Sequence, residues 1–447
     1  MNSKQPLLTD DIDKLVKLPV DAYISEAYAR DEKDSLWKKT WQVACREEEI
    51  PRVGNYYTYE ILDQSVIVVR SGEDEISAYY NACQHRGRQL TEGCGHAGRF
   101  HCKYHGWQWH LNGEIASIYE REDWGDALRD EDVRLPRLKV GRWGGFVFIN
   151  FDPDCESLES FLETVPFYLD QFEIGKMRYK WRKWTRVACN WKVGIEAFNE
   201  GYHARTTHPM LSRWGGAVVW SGAQGRHSNL GHLGGSGGIG TNIGDRDKVD
   251  PREIALGVAQ QMKEVCNANT TDTIIEAARQ ARDTLPPTAT ALEVSATVMQ
   301  IARKIDRERG VEWPVIDPEK YLLAGINWNI FPNTIILPNA TFCMGFRIRP
   351  DGYNPDSCIF EVFNLERFPA GQEPEVDNVY LEELTSEHWG LLLSQDFGNM
   401  PFVQKGLKSD GLSSIKPNPF WELSVINFRR ALAEYMGYGG PEPLHEE

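Results

Sequence analysis

Two short stretches decide how this chain is read: Asn81-Ala82-Cys83-Gln84-His85-Arg86-Gly87 and Cys102-Lys103-Tyr104-His105-Gly106-Trp107. Each offers one thiolate and one imidazole, and sixteen residues separate His85 from Cys102. Thiolates suit iron or zinc. A Cys2His2 set holds either a tetrahedral zinc or a [2Fe-2S] cluster in which two histidines bind one iron, and spacing alone does not separate these. Cys94, His96 and His101 lie between the pairs and are expected to be bystanders, with His110 an ordinary strand residue.

Around these stretches the texture is short apolar or alternating runs with turns between them: Tyr56–Ile61, Ser65–Arg70, Ile76–Asn81 and Gly145–Phe151. That pattern predicts a small β-rich domain over 41–153. Residues 1–40 read as short helices, Asp10–Val16 among them, packing on a larger second domain over 154–447. There the pattern predicts a helix over Leu158–Phe172, a strand over Arg178–Val187, strands from Leu322 to Arg367, and a helix from about Val376 to Asp396. Apolar residues at helical period, such as Ile254, Val258, Met262 and Val265, mark a helical insertion at about 245–312. The glycines crowded between Gly231 and Gly244 read as a mobile loop, since no Lys-Ser/Thr follows to make a phosphate cradle.

Composition narrows the function. Hydrophobic residues make up 41% and charged residues 26% of 447, an ordinary globular balance. A formal charge of -16 argues against nucleic-acid phosphates and anionic lipid as partners. The longest uncharged stretch, Tyr321–Phe346, is broken by Asn and Pro, and so predicts strands and turns in place of a bilayer helix. The N-terminus lacks the apolar core of a secretory signal, which places the protein in the cytoplasm. Nine cysteines, an odd number without an export signal, predict no disulfide framework.

A second constellation follows in Asn190-Trp191-Lys192, Glu196, Glu200, His203 and His208-Pro209. Histidines five apart splay by about 140° on a straight helix, so the chain must leave the helix between them. Pro209 pushes His208 out of the α region. Two imidazoles and one carboxylate on one face, with open positions, is the arrangement of non-haem Fe(II) oxygenases.

The pattern Cys-x-His-x16-Cys-x2-His, with Arg-Gly after the first pair and Gly-Trp after the second, resembles the Rieske signature. Asn-Trp-Lys, then Glu, then Glu-x-x-His-x4-His resembles the catalytic segment of Rieske non-haem iron oxygenases, specifically the α (terminal oxygenase) subunits of the aromatic-ring-hydroxylating type. Ser394-Gln395-Asp396-Phe397-Gly398-Asn399-Met400 looks like the family's late aspartate segment. The resemblance spans nearly the whole chain.

It implies an α+β fold: a β-rich Rieske [2Fe-2S] domain plus a helix-grip (START/Bet v 1-like) catalytic domain carrying the helical insertion. Cys83 and Cys102 would hold the inner iron of the cluster, and His85 and His105 the outer one. Tyr104 and the nearby backbone would donate hydrogen bonds to sulfur. His203, His208 and Asp396 would hold a mononuclear Fe(II), with Asp356, Asp377, Glu383 and Glu387 as competing carboxylates. Glu200, read on the same helical face as His203, would be the acid bridging a Rieske histidine to an iron histidine across a subunit boundary. Many relatives use aspartate there, and the glutamate appears in some that act on non-aromatic or methylammonium substrates.

The same resemblance implies electrons from NAD(P)H through a separate reductase, with or without a ferredoxin, because no dinucleotide or flavin fingerprint is visible. A homotrimer, with or without a β subunit, is the implied assembly. The implied reaction uses O2 to hydroxylate an apolar, aromatic or bulky substrate, or alternatively a quaternary amine or methoxy compound. Phe198, Asn199, Trp214, Phe331 and Trp389 are the candidate pocket residues. A non-catalytic Rieske electron carrier or ligand sensor is the alternative from a different class.

Overall fold

The computed structural model describes residues 15–214, 218–233 and 249–445, without the side chains of 212–214, 218, 232 and 233. The expected helix before Leu15, the glycine-crowded loop over 234–244, the start of the expected insertion and the Trp214 side chain therefore lie outside the described residues. Among the described residues no helix is long and apolar enough to cross a membrane.

The chain forms two compact units, one made by Arg30–Phe161 and the other by the described residues through Ala29 and from Leu162 onward. In the first, β-branched and aromatic alternation yields a seven-stranded sheet in the order Gln42–Arg46, Phe146–Asn150, Arg137–Trp143, Ile76–Tyr80, Gln64–Arg70, Asn55–Ile61, Cys94–His96. A smaller sheet joins Phe100–His101, Gln108–Trp109 and Ile115–Ser117. One buried cluster runs from Ile67, Val69 and Tyr79 to Phe100, Trp107 and Trp109, and it includes both Cys83 and Cys102. Fully burying each large apolar side chain contributes about 1.5–3 kcal/mol, so the thiols are rooted in a region that stabilises the unit.

The second unit is built on an eight-stranded sheet: Val218–Gln224, His227–Leu233, Asn327–Ile330, Thr334–Pro338, Phe342–Asp351, Asn354–Glu366, Arg178–Val187, Asn378–Tyr380. Neighbours are antiparallel except the last pair. Alternation along Asn354–Glu366 sends Phe360 toward the helix Ser386–Leu407, where it meets Phe397 at 5.1 Å. Glu361, one residue on, pairs with Arg347 at 2.6 Å and Arg182 at 3.4 Å. Burial pushes the Glu361 carboxyl up, but Arg347 and Arg182 outweigh it and leave it below the usual range. An eight-stranded sheet with the helix Ser386–Leu407, kinked at Gly390, packed on it is the helix-grip arrangement that the resemblance implies.

Two local expectations are corrected. Residues 16–19 form a strand, paired with Ser414–Ile415 and Glu442–Pro443. The helix expected from about Val376 begins only at Ser386, because Asn378–Tyr380 joins the sheet beside Arg178–Val187 and Leu381 donates its N–H to Trp184 O at 3.0 Å. Sheet-edge pairing overrides the local helical period. The insertion comprises helices Pro251–Cys266, Asp272–Thr284 and Ala291–Glu308, packed through Ala277, Ala278, Ala281 and Ala302.

Gln404, buried on the helix Ser386–Leu407, ties several elements together. Its Oε1 accepts the Asn190 N–H at 3.0 Å, and its Nε2 donates to Tyr23 O at 3.1 Å, Pro355 O at 3.2 Å and Asp356 Oδ1 at 2.9 Å. Gln404→Leu strands these partners away from water, and we expect a loss of about 1–3 kcal/mol. Denaturant unfolding followed by tryptophan fluorescence measures it, and an unchanged midpoint would refute the role.

Candidate functional site

The two Cys/His stretches fold into the same turn twice. The Cys83 N–H donates to Arg88 O at 2.9 Å and the Gly87 N–H to Cys83 O at 2.8 Å; the Cys102 N–H donates to Trp107 O at 2.9 Å and the Gly106 N–H to Cys102 O at 3.0 Å. Each turn closes on a left-handed residue, Gly87 at φ 75° and Gly106 at φ 78°, which explains the glycine four residues past each cysteine. Burial pushes the Cys83 thiol up, partly offset by backbone N–H groups of His85 and Arg86. Burial also raises Cys102, but the N–H groups of Tyr104 and His105 outweigh it and leave that thiol lowered.

The His85 and His105 rings lie 4.5 Å apart, and His85 stacks on Trp107 at 4.9 Å. Burial, followed by the neighbouring His105 and Arg86, depresses the His85 pKa, favouring neutral imidazole. Nδ1 of each ring is buried without a hydrogen-bond partner, an expensive state unless a ligand fills it. Two thiols turned inward and two orphaned imidazole nitrogens fit the donor set of a Rieske cluster. Tyr104 is exposed, and it is its backbone N–H that acts on the Cys102 sulfur. Cys94, His96 and His101 are exposed.

In the second unit the side chain of Asn190 caps the helix Trp191–Glu196 by accepting the Lys192 N–H at 3.1 Å. The helix then stops, a short one resumes over Ala204–Thr207, and His208 follows it at φ -121°, ψ 58°, outside the α region. His208 Nε2 lies 2.9 Å and His203 Nε2 3.6 Å from Asp396 Oδ1. The three residues present ligand atoms all within 4.8 Å of one another. Asp396 Oδ2 is buried with no hydrogen-bond partner. A desolvated carboxylate facing two imidazole nitrogens fits a divalent iron.

Glu200 does not lie on a helical face with His203, as expected; it sits in the irregular stretch between the helices. Its Oε2 accepts the N–H of Tyr202 and, at 3.1 Å, of His203, while Oε1 meets His203 Nδ1 at 2.5 Å. Burial would lower the His203 pKa, yet Glu200, then Asp396, raise it overall. Asp356 is engaged by Gln404 and Lys408.

Of the candidate pocket residues, Phe198 stacks on Phe346 at 4.3 Å and continues through Phe360 and Phe397 to Trp389, all beside the Asp396 helix. Asn199 instead spends its amide on Ser424 O and the Ser228 hydroxyl. Phe331 packs against Tyr435 and Phe428, a different aromatic group. Gln395 was not singled out by sequence reasoning, although it adjoins Asp396; its Oε1 meets His208 Nδ1 at 2.9 Å. Tyr23 carried no signal at all, yet its hydroxyl donates to both oxygens of the buried Glu196, at 3.0 and 2.8 Å.

The sequence matches the family described as "Ring hydroxylating alpha subunit (catalytic domain)" over residues 169–438, more than half of the chain, and "Rieske [2Fe-2S] domain" over residues 40–125. The chain belongs to the Rieske ring-hydroxylating oxygenase α subunits. Its cofactors are the family's [2Fe-2S] cluster and mononuclear iron, for which the two donor sets above fit. This α subunit is 30% identical over 204 residues to the Escherichia coli (strain K12) carnitine monooxygenase oxygenase subunit, covering 44% of the chain and 53% of that protein. It is 33% identical over 192 residues to the biphenyl 2,3-dioxygenase subunit alpha of Rhodococcus jostii (strain RHA1), covering 41% and 42%. The matches thus span about half the length of these curated relatives. Two solved structures share its fold: the quaternary ammonium Rieske monooxygenase CntA with L-carnitine (TM-score 0.63, 19% identity, 95% of this chain and 97% of that one) and naphthalene 1,2-dioxygenase with indole (0.66, 18%, 95% and 93%).

Burial raises the Glu196 carboxyl from 4.5 to about 7, against the opposing pull of Arg429 and the Tyr23 hydroxyl. The folded α subunit therefore binds a proton that the unfolded chain releases above about 4.5, so this group's contribution is full below 4.5 and declines as pH rises to about 7. We expect Glu196→Gln to gain stability relative to wild type, on the order of 3 kcal/mol, between pH 4.5 and 8. Denaturation midpoints of both proteins across that range test it; parallel curves would refute it.

Proposed function

We propose that this chain is the terminal oxygenase component of a multicomponent system, taking electrons from a separate NAD(P)H-dependent reductase, directly or through a ferredoxin. It uses O2 to hydroxylate an apolar, aromatic or otherwise bulky organic substrate in the cytoplasm. The observation that carries this reading is the coexistence in one chain of a Cys2His2 set and a His203, His208, Asp396 set with Glu200 bound to His203. When bound, the cluster supplies single electrons and the mononuclear iron supplies O2 chemistry at its open positions.

The chain's own residues do the rest. Glu200 accepts from Nδ1–H of His203, which turns Nε2 toward Asp396 and fixes the tautomer. Its two backbone hydrogen bonds hold that carboxylate in place, and it is the residue suited to reach a cluster histidine of a neighbouring subunit in a head-to-tail homotrimer, with or without a β subunit. Phe198, Phe346, Phe360 and Phe397 form an apolar wall that excludes water beside the ligands.

A second reading, oxygenation of a quaternary amine, draws on the similarity to carnitine and glycine betaine monooxygenase subunits and on glutamate at position 200. Reductase-coupled O2 uptake with a fused arene and with a trimethylammonium compound separates them, and coupled turnover of only the latter overturns the apolar reading.

We expect about three irons per chain, against about two for an electron carrier. Asp396→Ala should reduce this to about two and keep the red-brown colour, while Cys102→Ser should lose the colour. Three irons in Asp396→Ala would place the third ligand elsewhere. Glu200→Gln should retain both centres and slow turnover about 10–100-fold. Stopped-flow reoxidation of the reduced cluster at the wild-type rate in that variant would exclude a bridging role.

A further inference from the structure

The two imidazoles facing Asp396 are backed by different chemistry. Behind His203 stands the Glu200 carboxylate; behind His208 stands the neutral amide of Gln395, its Oε1 2.9 Å from Nδ1. We propose that Gln395 is a positioning residue of the mononuclear metal site: its amide oxygen accepts from Nδ1–H of His208 and so fixes the tautomer whose Nε2 lone pair faces the metal, without adding charge. This rests on reading His203, His208 and Asp396 as that site.

The backbone places Gln395 for the task. It precedes Asp396 on the helix Ser386–Leu407, and successive helical residues point about 100° apart, so one reaches the ligand side while the other passes behind the ring. Asn399 Nδ2 donates to Gln395 O at 3.3 Å and to Thr207 Oγ1 at 3.4 Å, tying this turn to the one that carries His208. The imidazole N–H needs an acceptor, because the His208 side chain is 3% exposed.

The choice of amide follows from charge. Asp396 and Glu200 supply two negative charges, which a divalent cation balances. Position 395 is half-buried beside the buried Asp396 and His208, and a third carboxylate there would add a negative charge that the divalent cation does not balance. It would also favour the ferric over the ferrous state.

The test titrates Fe(II) anaerobically, against a competing chelator, into full-length protein whose mononuclear site has been emptied while the cluster absorbance is retained. Gln395→Leu should bind Fe(II) about 10–100-fold more weakly than wild type. Gln395→Glu should recover wild-type affinity or better, since a carboxylate accepts the same N–H, and should lower the Fe(III)/Fe(II) potential. Wild-type affinity in Gln395→Leu, or equal losses in Gln395→Leu and Gln395→Glu, overturns the proposal. Asp396→Ala is the control: if it too binds Fe(II) like wild type, the site assignment itself fails; if it alone loses affinity, only the role of Gln395 does.

Discussion

A buried carboxylate held against two imidazoles is the interaction around which the catalytic unit is arranged. Asp396 keeps one oxygen 2.9 Å from His208 and leaves the other without a hydrogen bond. Such a group is costly in a folded protein unless a cation meets it. Holding it there requires that a helix late in the chain and an irregular segment between the strands Arg178–Val187 and Val218–Gln224 meet in a fixed register. Gln404 and Asn190 lock that register at one end, and the Phe198, Phe360 and Phe397 rings fill the space between the two segments and the sheet.

The cluster unit solves a related problem with less chain. Two turns of identical hydrogen bonding present one sulfur and one imidazole each, and both are rooted in the same buried cluster as Trp107 and Trp109. Because the turns come from different connections in the sheet, an iron cluster joining them would also cross-link the sheet to the small hairpin, so that metal loading and folding stabilise each other.

The candidate donor sets were legible from sequence because residues suited to liganding leave short, chemically unusual patterns: Cys83 and His85, Cys102 and His105, His203 and His208. The β texture of the first unit and the strand Arg178–Val187 were legible for a similar reason, since alternation marks a half-buried strand directly. What escaped depended on partners distant in sequence. Periodicity near Val376 looked helical until pairing with Arg178–Val187 drew Asn378–Tyr380 into the sheet. Glu200 was placed on a helical face because three-residue spacing suggests one, but the helix ends at Glu196 and the carboxylate reaches His203 from a loop. Tyr23 carries no motif, Gln395 lies inside the aspartate segment and Gln404 just beyond it, yet only the folded chain shows what their side chains bind. Asn199 stands beside a motif and Phe331 is a candidate by aromatic type alone, and neither criterion distinguishes a lining side chain from one committed to internal packing.

The strands His227–Leu233 and Asn327–Ile330 are hydrogen-bonded neighbours, Ser228 opposite Asn329, although the whole three-helix insertion separates them in sequence. The entropic cost of closing such an excursion grows only with the logarithm of its length. The pairing of the sheet is therefore nearly indifferent to what is placed between these strands, and the insertion packs through its own alanine-lined core. The excursion is tied to the rest at its first helix, where Val265 O lies against Gly390 of the helix that carries Asp396 and Gln261 donates to Met210 O just after His208, so its length can vary while that one face is bound to the segments on which the chemistry sits.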